Sequence, residues 1–496
     1  MNNILVFILQ KGGKTMLIFL LILSLFINLS LIGYMIFIEH KNVMATWAWL
    51  MVLLFIPFLG FFAYLFFGQS MKKRRMFNQK EESDRYMHLL HKEIHKDSCS
   101  YCNNKSCSSC YDYKLLHFLL VGHESVYTCD NQITLFVDGK NKFDTLFEDI
   151  AHAKKYVHLE YYIIHDDALG RHFKDLLIQK AKEGVEVSLL YDGMGCIKTP
   201  IHYFKELILG GVHLTCFSPP FTPWPNLHFN YRNHRKLCTI DDTLSYIGGF
   251  NIGDEYLGKS KKMGYWRDTH IKIVGSSTLL CNLQFLLDWR FATKNTHYLD
   301  TYDLPQLSPL CHATGAVIQL VASGPDSKLP AIRNGYIQMI NEAHTSIWIQ
   351  TPYFVPDDAL LTALKLASLS GIDVRIMIPN KPDHMCVYWA TYSYIGELLA
   401  CGAKAYTYEK GFLHSKTIVI DENLSSVGTA NFDMRSLNLN FEMNAFIYDK
   451  SFAKSLSEAF CKDLLDCHPL TLETYLNRSH KIIFKESISR LFSPIL

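Results

Sequence analysis

His234-Arg235-Lys236-Leu237-Cys238-Thr239-Ile240-Asp241 and His414-Ser415-Lys416-Thr417-Ile418-Val419-Ile420-Asp421 share one pattern, and each continues to a Gly-x-x-Asn, at Gly248/Asn251 and Gly428/Asn431. Two copies with the same internal spacing imply a duplicated unit whose halves build one site. The residues after each histidine are strand-like. Side chains at i and i+2 share a strand face, so His234 projects beside Lys236 and His414 beside Lys416. Asp241 and Asp421 have the opposite parity and open polar turns. Within this candidate catalytic set, the Asp side chains are therefore expected to fasten the hairpins while His and Lys do chemistry. The glycines let backbone and the Asn251 and Asn431 carboxamides approach an anionic group. Two imidazoles, two ammonium groups and two carboxamides suit a phosphate diester. Lys and Asn stabilise charge on the non-bridging oxygens, and imidazole attacks phosphorus.

A weaker repeat surrounds the motifs. Ala153 to Glu160, Asp166-Asp167-Ala168 and Gly184 to Tyr191 in the first half correspond to Ala343 to Gln350, Asp357-Asp358-Ala359 and Gly371 to Ile378 in the second. Each set reads strand, helix, strand, with apolar runs suited to a sheet covered on both faces. The expected fold is α/β: two lobes, 126–312 and 313–496, related by a pseudo-two-fold axis, with the His-Lys pairs at the seam. The boundary is expected near Pro305 to Gly315, where Pro, Ser and Gly cluster.

Met16 to Ile38 and Trp47 to Phe67 are uncharged apolar runs. Each is long enough to cross ~30 Å of hydrocarbon as a helix. They predict a transmembrane hairpin within an anchor spanning 1–70. Lys11 and Lys14 precede it and Lys72-Lys73-Arg74-Arg75 follow it, so the positive-inside rule places both ends, and the lobes, in the cytoplasm. A net charge of +2 argues against a nucleic-acid partner.

The doubled motif resembles the phospholipase D superfamily and, within it, the bacterial cardiolipin synthases. The closer likeness rests on Asn230 to Lys236, Gly248 to Gly258, Trp266 to His270, Asn431 to Ser436 and Asn440 to Asn444. The resemblance implies two phospholipase D-like lobes and a membrane-bound phosphatidyltransferase. Two phosphatidylglycerol molecules would give cardiolipin and glycerol through a phosphohistidine. It implies His234 as nucleophile, His414 as acid/base, and Asp268 and Glu442, which lie at comparable distances after their motifs, as orienting carboxylates. Exchange of one phosphodiester for another needs no nucleotide, and the motifs supply no carboxylate cluster suited to Mg²⁺. No catalytic cofactor is therefore expected. Gly13-Lys14-Thr15 mimics the tail of a nucleotide loop, but Ile8 stands where its first glycine belongs.

Cys99-x2-Cys102-x4-Cys107-x2-Cys110, in the juxtamembrane segment 71–125, departs from the family pattern. Three readings stand: a structural zinc or other thiolate-bound metal, redox-active thiols, or an incidental insertion. Pro219 to Pro225 is either a wall of the lipid entrance or a connector. Lys481 to Phe492 alternates basic and apolar residues, as for a helix along a leaflet or one packed on the second lobe. The rival functions are a phospholipase D using water, a phosphatidyltransferase with another alcohol, a membrane-bound nuclease, and a non-catalytic tethered protein.

Overall fold

Asp167 and Asp357 open the equivalent helices of the repeat. Their side chains accept hydrogen bonds from Gly170 N and Leu360 N, capping helices Ala168–Lys182 and Asp358–Leu369. The computed structural model describes residues 22–39, 43–56, 60–62, 64, 114–217, 231–293, 315–327 and 329–495.

The first lobe holds β1 (Tyr127–Asp138), β2 (Tyr156–Tyr161), β3 (Glu186–Tyr191), β4 (His213–Cys216), β5 (Leu237–Ile240), β6 (Leu244–Gly248) and β7 (Tyr265–Val274). The second begins with β8 (Ala316–Ser323), β9 (Ser346–Gln350), β10 (Phe354–Val355), β11 (Asp373–Pro379), β12 (Lys404–Tyr408) and β13 (Gly411–Leu413). It ends with β14 (Thr417–Ile420), β15 (Leu424–Gly428), β16 (Phe432–Asp433), β17 (Glu442–Tyr448) and β18 (Cys467–Leu470).

All but β10 and β16 join one sheet. From its centre outward the first lobe runs β1-β7-β6-β5-β2-β3-β4, and the second runs β8-β17-β15-β14-β9-β11-β12-β18. Apart from the terminal β18 the two orders correspond strand for strand, with β1 antiparallel to β8 at the centre. The capped helices close the parallel pairs β2–β3 and β9–β11, while the motif strands form antiparallel hairpins, β5–β6 and β14–β15.

Both hairpins turn through consecutive left-handed residues, Asp241 and Asp242 at φ 53° and 57°, and Asp421 and Glu422 at 53° and 50°. Such turns match strand twist but normally favour Asn-Gly. Here the aspartates offset the strain. Asp241 accepts from the backbone N–H groups of Lys154, Lys155 and Tyr156 at 2.7, 2.7 and 2.8 Å, and Asp421 from those of His344, Thr345 and Ser346 at 2.8, 2.8 and 2.7 Å. The turn is thereby stapled to the start of the neighbouring strand, β2 or β9.

The lobes form one compact unit. Phe412, carried by β13 of the second lobe, is fully buried in the first lobe's core beside Trp266. Helix Lys114–His123 lies inside the segment 71–125 assigned above to the juxtamembrane region, yet its Leu115, Leu116 and Leu119 belong to the second lobe's core.

The N-terminal unit is described only in part. Residues 22–39 and 43–55 are helical, Asn28 Nδ2 donates to Leu53 O at 3.0 Å, and Met35, Leu53 and Tyr64 form a small buried cluster. Among the described residues no helix is long and apolar enough to cross a membrane. The Cys quartet, the loop at Pro219 to Pro225 and nearly all of the stretch Pro305 to Gly315 lie outside the described residues.

Candidate active site

The segment leading into β5 alternates. Asn233 and Arg235 turn inward, hydrogen-bonding Glu160 and Asp288, while Arg232, His234 and Lys236 share the other side. The same parity puts Phe412, His414 and Lys416 together in the second lobe.

His234 Nδ1 lies 2.9 and 3.0 Å from the two oxygens of Glu442, and His414 Nδ1 lies 2.6 Å from Asp268 Oδ2. Each imidazole is therefore backed by the carboxylate of the opposite lobe. Backbone bonds fix this crossing. His234 N donates to Phe441 O at 2.9 Å and Phe441 N to Arg232 O at 2.8 Å. On the other side His414 N donates to Arg267 O at 2.7 Å, where β13 runs parallel to β7.

The carboxylates are themselves held. Glu442 accepts from Thr429 Oγ1 at 2.5 Å and Asn440 Nδ2 at 3.3 Å; Asp268 accepts from Thr269 N at 2.7 Å and Trp266 Nε1 at 3.4 Å. A Cβ on Gly249 would fall 1.9 Å from Asp268 Oδ1, so that position has room only for glycine.

Burial pushes His234 down to about 4, with Lys236 acting in the same sense and Glu442 against it. His414 is also lowered, by burial and by Lys416. Burial lowers Lys236 to about 7 and Lys416 to about 8. Burial works to raise the two carboxylates, but His234 and Lys236 hold Glu442, and Lys416 and His414 hold Asp268, below their ordinary values. At neutral pH the favoured state is a neutral imidazole giving Nδ1–H to a carboxylate, with the Nε2 lone pair open for reaction. Lys236 Nζ gives one of its three donors to His234 O at 2.6 Å, and Lys416 makes the same bond to His414 O. Each motif thus braces its own lysine. The ring of Tyr162 meets His234 edge-on at 4.9 Å and lies under Lys236 at 5.5 Å.

Asp241 and Asp421 sit at the far ends of β5 and β14, where they staple the turns as their parity predicts rather than join the chemistry. The glycines and asparagines differ from expectation. Gly248 and Gly428 make room for the adjacent strand: a Cβ there would fall 2.5 Å from His270 Cα and 2.3 Å from Asn444 Oδ1. The Asn251 amide accepts from Ile163 N at 3.1 Å and donates to Tyr256 OH at 3.0 Å, while Asn431 Nδ2 donates to Asp433 at 3.0 Å. In each amide a donor is already committed to the protein.

Two buried charge clusters behind the histidines were not anticipated. Arg235 pairs with Asp288 beside Glu160 and Asn233, and Arg267 pairs with Asp463 at 2.8 Å beside Gln350. The available signal was Asp288, the one carboxylate of the helix Ser277–Thr293, set between Leu286, Leu287 and Trp289. Among the described residues no group of three or more His, Cys, Asp or Glu is placed to hold a metal ion.

The duplicated sheet and the paired imidazoles define a phospholipase D-like protein. Residues 146–273 and 336–464 match the family described as cardiolipin synthase, PLD-like domain, and residues 18–69 match a phospholipase D-nuclease N-terminal family. The chain is 48% identical over 480 residues to the major cardiolipin synthase ClsA of Bacillus subtilis, covering 96% of this chain and 99% of that one. It is 45% identical over 491 residues to the cardiolipin synthase of Listeria welshimeri, covering 97% and 100%. Its fold is similar to that of phosphatidylserine synthase from Haemophilus influenzae, with TM-score 0.58, 15% identity, and coverage of 74% of this chain and 95% of that one. The chain belongs to the cardiolipin synthase family of phospholipase D-like proteins.

Proposed function

We propose that this protein is a cardiolipin synthase, a phosphatidyltransferase that converts two phosphatidylglycerol molecules into cardiolipin and glycerol. The observation that carries the reading is the crossed pairing of His234 with Glu442 and His414 with Asp268. It supplies two imidazoles with Nε2 directed away from their carboxylates, flanked by two braced lysines. His234 Nε2 attacks phosphorus, forming the N–P bond as the P–O bond to glycerol breaks. The negative charge of the bound phosphate raises His414, which carries a proton on Nε2 and gives it to the departing alkoxide. In the second half-reaction His414 takes the proton from a hydroxyl of the second phosphatidylglycerol. That oxygen bonds phosphorus, the N–P bond breaks, and His234 is regenerated.

Lys236 and Lys416, with the remaining donors of Asn251 and Asn431, meet the charge on the non-bridging oxygens. The scheme draws on no metal ion. We read 16–38 and 47–67 as a two-pass anchor with the lobes on the cytoplasmic side. Protease should then cut the lobes in inverted membrane vesicles and spare them in right-side-out ones; the reverse would refute that orientation. Zinc at the Cys quartet is tested by metal analysis of reduced protein, and absence of stoichiometric metal removes it.

Phosphatidylglycerol labelled in its terminal glycerol tests the main reading. Cardiolipin with one equivalent of released glycerol supports it. Phosphatidic acid as the main product would make the enzyme a hydrolase, and no lipid product would defeat the assignment.

A further inference from the structure

The last helix, His480–Leu491, is packed with its polarity inverted. Glu486 and Ser489 are 2% and 5% exposed, whereas Phe484, Ile488, Leu491 and Phe492 are 67%, 41%, 75% and 46% exposed. Polar contacts hold the inward face. Glu486 accepts from Arg478 Nε at 2.8 Å and from Tyr475 OH at 3.3 Å, and Arg490 bonds Glu397 and, at 3.2 Å, Ser393 Oγ. Burial raises Glu486 against Arg478, so the helix gives up apolar burial to keep this face inside.

At 3.6 residues per turn, Phe484, Ile488 and Leu491 fall within an arc of about 60°, and Lys481 and Lys485 fall within about the next 60°. An apolar stripe edged by lysines whose stems can reach along it is the pattern of a helix lying in a bilayer interface. The position in the fold agrees. The final turn Ser493–Ile495 packs against helix Met434–Asn438, which follows directly on Asn431 of the site. Lys485 Nζ lies 4.9 Å from the Trp389 ring, in the helix Met385–Leu399. That helix begins next to Asp383, which hydrogen-bonds Tyr353, and Met385 in its first turn is exposed.

We propose that the outer face of the C-terminal helix docks into an anionic lipid surface, seating Phe484, Ile488 and Leu491 among acyl chains and Lys481 and Lys485 at the headgroups. The occupant is a bilayer rather than a second protein chain. The lysines complement anionic phosphatidylglycerol, and the helix adjoins the elements that carry the site. An enzyme docked this way receives lipid substrate at its rim without drawing it through water.

The test compares two substrate forms with the full-length protein. Phe484→Asp/Leu491→Asp is assayed on phosphatidylglycerol vesicles and on short-chain phosphatidylglycerol held below its micelle concentration. Docking predicts a loss of about tenfold or more on vesicles and a change of less than about twofold on the monomeric lipid. Wild-type rates on both forms would overturn it, as would equal losses on both in a variant that keeps the wild-type circular dichroism spectrum and melting temperature. Replacing Phe484 with a photoreactive benzophenone residue keeps the helix intact and gives an independent reading. Irradiation in phosphatidylglycerol proteoliposomes should yield a phospholipid adduct. A protein–protein adduct, or no lipid adduct, would overturn the proposal. Because the photoadduct does not depend on turnover, its failure is distinguishable from failure of the synthase assignment.

Discussion

The two half-sites repeat their chemistry and differ in what surrounds it. His, Lys and the backing carboxylate recur at pseudo-equivalent positions. Two residues before the histidine, on the same face, stands Arg232 in one half and Phe412 in the other. Beside the carboxylate, Asn440 caps Glu442 where Trp266 caps Asp268. Four residues after the motif asparagines, Arg435 replaces Glu255. Arg232 and Arg435 both act electrostatically on Tyr162, which contacts His234, whereas Glu255 acts on His414, whose ring is flanked by Trp266 and Phe412. The His234 flank carries two arginines, one paired with Asp192, beside the Tyr162 ring, and the His414 flank carries two aromatic rings and Glu255. A symmetric frame thus has two different surroundings: two arginines act on the His234 side, and Glu255, Trp266 and Phe412 lie on the His414 side. In the proposed mechanism this division would set the arginines beside the attacking histidine and Glu255 beside the acid/base.

The sharpest way to break that division uses the leaving group. His234→Ala should reduce transfer by about 10⁴-fold or more whatever the leaving group, because no other group forms the adduct. His414→Ala should cost about 10²–10⁴-fold with glycerol leaving. It should recover most of its first half-reaction with phosphatidyl-p-nitrophenol, whose leaving group needs no proton. Equal rescue of both variants would erase the distinction.

The carboxylates sharpen the same comparison through the crossing. Glu442→Gln should lower adduct formation by about 10²–10⁴-fold, by analogy with loss of the carboxylate behind a catalytic histidine. Asp268→Asn should slow the glycerol-leaving step and be relieved by p-nitrophenol. If Glu442→Gln were the relieved variant, each carboxylate would serve the histidine of its own lobe.

Behind the histidines, Asp288→Ala would strip the buried Arg235 of its ion-pair partner. A stability loss of about 3–5 kcal/mol is expected in denaturation of the detergent-solubilised protein.

The pH profile of kcat/KM tests the electrostatics. Protonated His234 cannot attack, so activity should fall with acid toward about 4. The lysines lose charge as pH rises through about 7 for Lys236 and about 8 for Lys416, giving an alkaline fall. A profile flat from pH 6 to 9 would contradict that assignment.

The smallest effect concerns Glu160. Its pseudo-equivalent Gln350 donates an amide N–H to Asp463 at 2.8 Å. Burial and the neighbouring Asp288 raise Glu160 well above its ordinary value, which favours the protonated acid. In that window the folded state keeps a proton the unfolded state releases, so stability falls as pH rises above the ordinary carboxylate range. Glu160→Gln should abolish that slope and change activity by less than about twofold. A large loss of activity would show that Glu160 is ionised.

Much of this was legible in the sequence for reasons of strand geometry. The two-residue spacing of His and Lys put both on one face, and the odd spacing of Asp241 and Asp421 marked them as turn residues. The Asp-capped repeats marked the parallel strand–helix–strand units. What stayed hidden depends on long-range topology. Asp268 and Glu442 each follow their own motif in the chain, and only the sheet shows them serving the opposite histidine. Asn251 and Asn431 looked like open donors because the partners they bond, Tyr256 and Asp433, sit only five and two residues away on a fold that spacing does not reveal. The last helix looked like an ordinary basic-apolar alternation. Which face turned inward was settled by Glu397, Ser393 and Arg478 on other segments.

The central claim is a phosphatidyl group carried on a histidine between two lobes. Rapid acid-free quenching of the enzyme with phosphatidylglycerol labelled at phosphorus, followed by peptide mapping, tests it most directly. Label on Nε2 of His234, chased by unlabelled phosphatidylglycerol into cardiolipin, is the predicted result. Label confined to His414, or turnover with no protein-bound phosphorus at any time, would contradict it.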